Sequence, residues 1–285
     1  MSIAKAVELV QSPKTCVSIK TRALFYLRCL DTEEAALALQ KCITNTSVLI
    51  DHEIAYILGQ MKQSATIPFL FSLARNKNIN PIVKHEAIEA LGNFEDQNLI
   101  PHIQPFLNDP ISIISESAVL AISKLEEYKS NKDSLSRYYS RDPAYPFKGS
   151  FEEAIRFFNS DKIEEKYKAL FYFRDLNSKE AVEVLAKGFR ESSDLLRHEI
   201  AYVFGQMENP LAVDVLINVL EDETEAEIVR HEAAEALGNI GTEKAQQHLR
   251  KYLDSEITIL RESARVGLGI YNNDNNDYAD ISLLN

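Results

Sequence analysis

The feature that most constrains this chain is an internal duplication. DHEIAYILGQM at 51–61 returns as RHEIAYVFGQM at 197–207, and KHEAIEALGNF at 84–94 returns as RHEAAEALGNI at 230–240. RALFYLRCL at 22–30 returns as KALFYFRDL at 168–176, and ESA at 116–118 returns at 262–264. Every pair is 146 positions apart. A constant offset means two homologous halves with no insertion between these anchors. Within the first half, Arg22, His52, His85 and Glu116 follow one another at intervals of 30, 33 and 31 residues. That length suits a helix–turn–helix unit.

The repeats predict an all-α solenoid of eight short HEAT-like helical hairpins, four to a half, with about sixteen helices. Apolar periodicity near 3.6 dominates, and no alternating strand pattern stands out. Each unit reads as an outer helix, such as 33–43, followed by an inner one, such as 49–58. Ankyrin and tetratricopeptide signatures are absent, and A-x-x-A-L-G resembles short HEAT-type repeats. Gly59, Gly92, Gly205 and Gly238 follow apolar helix faces and are expected to be C-terminal caps. The halves are expected at 1–127 and 151–271, joined by a polar linker at 128–150 that contains Pro143 and Pro146, with a disordered tail at 272–285.

The chain carries 31 Lys and Arg against 43 Asp and Glu, a net charge of −12. Nucleic acid is therefore a poor partner, because phosphate binding needs a basic face. A cationic substrate would be attracted. No apolar run reaches the length of a membrane span, and the amphipathic N-terminus carries Glu8, so it reads as a helix and not a signal peptide. A cytoplasmic protein is expected. The cysteines, Cys16, Cys29 and Cys42, form no C-x-x-C pair and are expected to be reduced.

Stacked repeats bury one face of each helix and line a concave surface with another. In the first motif Ile54, Ile57 and Leu58 form the buried stripe, while His52, Glu53 and Tyr56 point elsewhere. His85, Glu86 and Glu89 repeat the pattern, with Ile88 and Leu91 in the core. Such a polar pair is ordinarily a solvated repeat position. The sequence supplies its own control: the equivalent positions of the outer repeats hold Arg22-Ala23, Glu116-Ser117, Lys168-Ala169 and Glu262-Ser263. Repeat architecture does not require His-Glu there, yet all four central repeats carry it. His52, Glu53, His85, Glu86, His198, Glu199, His231 and Glu232 are therefore candidate metal ligands. His102 and His248 share the 146 offset but fall in outer helices and are expected to be structural. Mixed nitrogen and oxygen donors permit iron, manganese or zinc.

The four motifs, in this order and spacing from about residue 17 to 270, closely resemble the deoxyhypusine hydroxylase family. The resemblance implies a monooxygenase with two Fe2+ ions, using dioxygen and an electron donor. It would act on the deoxyhypusine side chain of translation initiation factor five-A to form hypusine. It places His52, His85 and Glu86 on one iron and His198, His231 and Glu232 on the other. Glu53 and Glu199 match the remaining motif carboxylates and are expected beside the metals or against the cationic substrate. Glu89 and Glu235, one turn from the ligands, are weaker candidates for pairing with its amines. A pseudo-symmetric monomer is the simplest assembly. The alternative from another class is a non-catalytic HEAT-repeat scaffold that binds a protein on its concave face. A phycobilin-lyase type protein and a zinc hydrolase are further rivals.

Overall fold

The computed structural model describes residues 1–128 and 136–271. In the first half lie α1 (Ile3–Gln11), α2 (Val17–Leu30), α3 (Glu33–Gln40), α4 (Val48–Met61), α5 (Ile67–Arg75), α6 (Pro81–Gly92), α7 (Ile100–Ile103) and α8 (Ser112–Glu127). In the second lie α9 (Phe151–Phe158), α10 (Ile163–Leu176), α11 (Lys179–Lys187), α12 (Asp194–Met207), α13 (Val213–Glu221), α14 (Glu227–Ile240), α15 (Glu243–Leu249) and α16 (Thr258–Tyr271). The described residues contain no strand, and none of their helices is long and apolar enough to cross a membrane. The all-α repeat solenoid expected from the sequence is what forms. The tail expected at 272–285 and residues 129–135 of the linker lie outside the described residues.

Local chemistry starts and stops these helices. Ser47 and Ser193 cap α4 and α12 by accepting the backbone N–H groups of Ile50 and Leu196. Thr32, Ser178 and Thr242 cap α3, α11 and α15 in the same way. The apolar stripe of α4 is fully buried at Ile54, Ile57 and Leu58, as is that of α6 at Ile88 and Leu91.

The even-numbered helices pack side by side in chain order, and then the solenoid closes. α8 packs on α10 and α12, and α16 packs on α2 and α4. Each junction carries the same hydrogen bond. Ser47 donates to Glu262 at 2.7 Å, and Ser193 donates to Glu116 at 2.6 Å. The capping hydroxyl of each half thus also grips the E-S-A segment of the other. The concave face expected from the sequence is consequently the wall of a closed ring, formed by the eight even-numbered helices.

The four glycines do not cap. α4 and α12 run past Gly59 and Gly205 to left-handed C-caps at Lys62 and Glu208, with φ of 52° and 49°. α14 passes Gly238 and ends at Gly241, with φ of 67°. α6 ends at Gly92 itself, but its cap is Asn93 in a right-handed conformation. These glycines instead let neighbouring inner helices touch. A Cβ at Gly59 would lie 2.7 Å from the Ala90 Cα, and one at Gly238 would lie 2.3 Å from the Gly267 Cα. Forcing an extra carbon into a packed contact costs roughly 1–3 kcal/mol, and alanine regains ~1 kcal/mol in helix propensity, so replacing Gly238 by alanine is expected to lower stability by up to about 2 kcal/mol. A lower urea midpoint at unchanged m value measures it.

Candidate metal centre

Ring closure turns α4 and α6 of one half toward α12 and α14 of the other. His52, His85, His198 and His231 meet at the centre, all buried. Within each half, ring centroids lie 5.4 Å apart for His52 and His85 and 5.6 Å apart for His198 and His231. Across halves, His52 is 5.9 Å from His198 and 5.6 Å from His231, and His85 is 5.5 Å from His198. Separations across halves match those within them, so the imidazoles form one cluster and not two. None of the eight ring nitrogens has a hydrogen-bond partner. Leaving a buried polar atom unpaired costs roughly 1–3 kcal/mol, so this arrangement is unfavourable unless a cation satisfies it.

Carboxylates surround the cluster with the same two-fold pattern. Glu86 and Glu232 approach the Nε2 atoms of His52 and His198, each at 3.4 Å. Glu89 and Glu235 stand 3.7 Å from the Nδ1 atoms of His85 and His231. Ser117 and Ser263, from the E-S-A segments, donate to Glu89 and Glu235 at 2.8 and 2.9 Å. Glu53 lies 3.5 Å from His52 Nδ1, and Glu199 is buried with an unpartnered Oε1. The structure therefore brings together all eight residues picked from the sequence, together with Glu89 and Glu235. Ligand-competent atoms of His198, His231 and Glu232 lie within 4.8 Å of one another, as do those of His52, His85 and His198. His102 packs edge-on against Phe71, and His248 contacts the Lys244 carbonyl, both away from the centre.

Electrostatics favour a cation here. Burial and the charge on His52 hold His198 down at about 3, and burial and neighbouring imidazolium charge keep His85 and His231 well below the ordinary range. Burial opposes charge on His52 too, but Glu53 and Glu86 outweigh it. Three of the four imidazoles are thus held neutral, the form that binds metal. Burial lifts Glu232 to about 8 and, with the charge of Glu86, lifts Glu89 to about 8. Crowded carboxylates that resist ionising together are relieved by a multivalent cation. The residues present fit a metal centre with nitrogen and oxygen donors.

A cavity of about 880 Å³ leads to this centre. Its wall includes features the sequence reading missed. Tyr56 and Tyr202 share a hydroxyl–hydroxyl hydrogen bond of 2.9 Å across the halves. The connecting segment crosses the cavity at Tyr138–Pro143. It is held by residues that are themselves 146 apart. Arg28 donates to the Tyr139 carbonyl and Gln60 bonds the backbone of Arg141. Arg174 forms a two-point pair with Asp142 at 2.7 and 2.8 Å, and Gln206 donates to Ser140. The duplication held the signal, since Arg28 matches Arg174 and Gln60 matches Gln206.

Fold and site together define a class: a helical-repeat protein closed into a ring around a buried histidine–carboxylate centre. Models of HEAT repeats and of the PBS lyase HEAT-like repeat match residues 182–269 and 83–109. The chain belongs to the deoxyhypusine hydroxylase family and is an enzyme. It is 38% identical to the deoxyhypusine hydroxylase of Candida albicans over 92% of this chain and 89% of that protein. It is 35% identical to that of Homo sapiens over 94% of this chain and 91% of that one. The solved structure of human deoxyhypusine hydroxylase in complex with glycerol superposes with a TM-score of 0.91 at 32% identity, covering 95% of this chain and 96% of the other.

Proposed function

We propose that this chain is a di-iron, dioxygen-dependent monooxygenase that hydroxylates the deoxyhypusine side chain of translation initiation factor five-A, completing hypusine. The observation that carries this reading is the set of eight buried imidazole nitrogens without a protein partner, ringed by carboxylates. His52, His85 and Glu86 are assigned to one iron, and His198, His231 and Glu232 to the other. When bound, the iron pair supplies the electron transfer and dioxygen chemistry that side-chain acid–base groups lack, which insertion of oxygen into an unactivated C–H bond requires.

The chain's own residues do the rest. Serine-held Glu89 and Glu235 steady His85 and His231, as outer carboxylates do for metal-bound imidazoles, and add negative potential for the substrate's amines. Glu199, with its unpartnered oxygen, and Glu53 are placed to receive an ammonium group. The Tyr56–Tyr202 pair and the crossing segment keep bulk water from the centre. In this reading the halves are 1–127 and 151–271, and the protein acts as a cytoplasmic monomer fed by a separate electron donor.

The test is direct. Purified protein, Fe2+, a reductant, dioxygen and the deoxyhypusine-bearing factor are incubated, and the factor is examined by peptide mass spectrometry. The expected result is one added oxygen at the modified residue, lost when dioxygen is excluded. A scaffold, the rival reading, leaves the factor unchanged even with two irons bound.

A further inference from the structure

Tyr56 and Tyr202 are 146 positions apart, so they are equivalents in the two halves, and both line the cavity beside His52 and His198. Their hydroxyls share one hydrogen bond of 2.9 Å. Two hydroxyls bring two hydrogens, and a single contact between their oxygens uses only one. The direction of that bond decides which tyrosine presents the other.

The connecting segment sets the direction. Gln60 and Gln206 are also equivalents, but the segment engages them differently. Gln60 is turned to the segment's backbone: its Oε1 accepts from the Arg141 N–H at 2.7 Å, and its Nε2 donates to the Arg141 carbonyl at 3.1 Å. Gln206 Oε1 instead accepts from the Arg174 guanidinium at 3.0 Å, which fixes the amide with its Nε2 toward Ser140 and Tyr202. That Nε2 donates to the Tyr202 hydroxyl oxygen at 2.9 Å. A hydroxyl that accepts a hydrogen bond is polarised into a better donor, so Tyr202 donates to Tyr56. The chain Arg174, Gln206, Tyr202, Tyr56 thus runs one way and ends on the Tyr56 hydrogen. Among the described residues, the Tyr56 hydroxyl has no hydrogen-bond partner besides Tyr202. Burial pushes this phenol up to about 12, so the hydrogen stays in place at neutral pH.

We infer that Tyr56 donates a hydrogen bond to the oxygen atom being transferred, and that Tyr202 and Gln206 are positioning residues that aim it. This rests on the function proposed above. The acceptor is an oxygen with lone pairs, that of the diatomic oxidant before reaction or that of the new hydroxyl after it. The substrate's ammonium groups have no lone pair and cannot take this hydrogen. The glutamates therefore serve the nitrogen end of the chemistry, and Tyr56 serves the oxygen end.

Nitric oxide stands in for dioxygen in the test. Fe2+-loaded wild-type, Tyr56→Phe, Tyr202→Phe and Gln206→Glu proteins, with iron content measured, are titrated with it under argon, and the N–O stretch is read by infrared spectroscopy. In a second arm, binding of the hypusine-bearing factor is compared with that of the deoxyhypusine-bearing factor, which lacks one hydroxyl. Tyr56→Phe should cost roughly 3–10-fold, the scale of one hydrogen bond. The loss appears in nitric oxide affinity, with a raised N–O stretch, where the diatomic is the acceptor, and in the preference for the hydroxylated factor where the new hydroxyl is. Gln206→Glu should match Tyr56→Phe: the introduced carboxylate accepts from Tyr202, Tyr56 must then donate to Tyr202, and no hydrogen is left for the cavity. Tyr202→Phe should lose less than either, since Tyr56 keeps its hydrogen. Wild-type protein that forms hypusine, with both arms unchanged in Tyr56→Phe, overturns the donor role and leaves the function intact. A loss equal in Tyr56→Phe and Tyr202→Phe and absent from Gln206→Glu overturns the aiming. Wild-type protein that forms no hypusine overturns the function, and this inference with it.

Discussion

His85→Ala protein should fold with little loss of stability as apoprotein and yet lose its metal. In the apoprotein His85 is a buried imidazole with both nitrogens unpaired. Truncating it leaves a cavity, which destabilises, but it also removes unsatisfied polar atoms worth roughly 1–3 kcal/mol. The opposing effects nearly cancel, and the apo unfolding free energy changes by no more than about 2 kcal/mol. Metal binding does not share the cancellation. Loss of an outer partner alone weakens metal affinity ~10–100-fold, and loss of a direct ligand should exceed that. In wild-type protein, bound iron raises the melting temperature through linkage; in His85→Ala that difference between holo and apo forms should vanish, with hypusine formation. A histidine serving only as core filler gives the opposite pattern, with lower apo stability and no change in iron. Parallel melting curves with and without Fe2+ decide between them.

The second large effect falls on a pair of arginines that the duplication makes equivalent and the structure does not. Arg174 is fully buried against Asp142, and its guanidinium also bonds Asp175 and Gln206. Removing one partner of a buried ion pair costs about 3–5 kcal/mol, because the other charge is left uncompensated. Arg174→Ala is therefore expected to lose stability on that scale and to free the crossing segment, raising amide exchange at 138–142. Arg28 occupies the same place in the first half but donates to a backbone carbonyl at an exposed site. Arg28→Ala should cost less than ~1.5 kcal/mol, the range of an ordinary hydrogen bond. Urea unfolding of the two variants side by side checks the contrast. Equal losses would mean that the segment is not anchored asymmetrically.

The repeat architecture and the converging residues were legible because the duplication made every motif testable against its copy. A His-Glu pair in four central repeats and in no outer one already separates chemistry from repeat geometry. Three things were not legible. Gly59, Gly92, Gly205 and Gly238 follow an apolar face as a cap would, and only the distance to the neighbouring helix reveals that they serve close packing. The segment after Tyr128 is polar and rich in turn formers, so it reads as a tether; its anchors Arg174, Gln60 and Gln206 come from distant repeats and share no local signature with it. Ring closure rests on Ser47 with Glu262 and Ser193 with Glu116, contacts too far apart in sequence for periodicity to pair.

Both halves together are proposed to hold two iron ions in one shared site. Metal stoichiometry tests it most directly: purified wild-type and His198→Ala proteins are loaded anaerobically with Fe2+, desalted, and analysed by mass spectrometry of the elements. Two iron atoms per wild-type chain and a loss of metal in the variant are expected. Wild-type protein that retains no iron, or a variant that retains as much as the wild type, would contradict it.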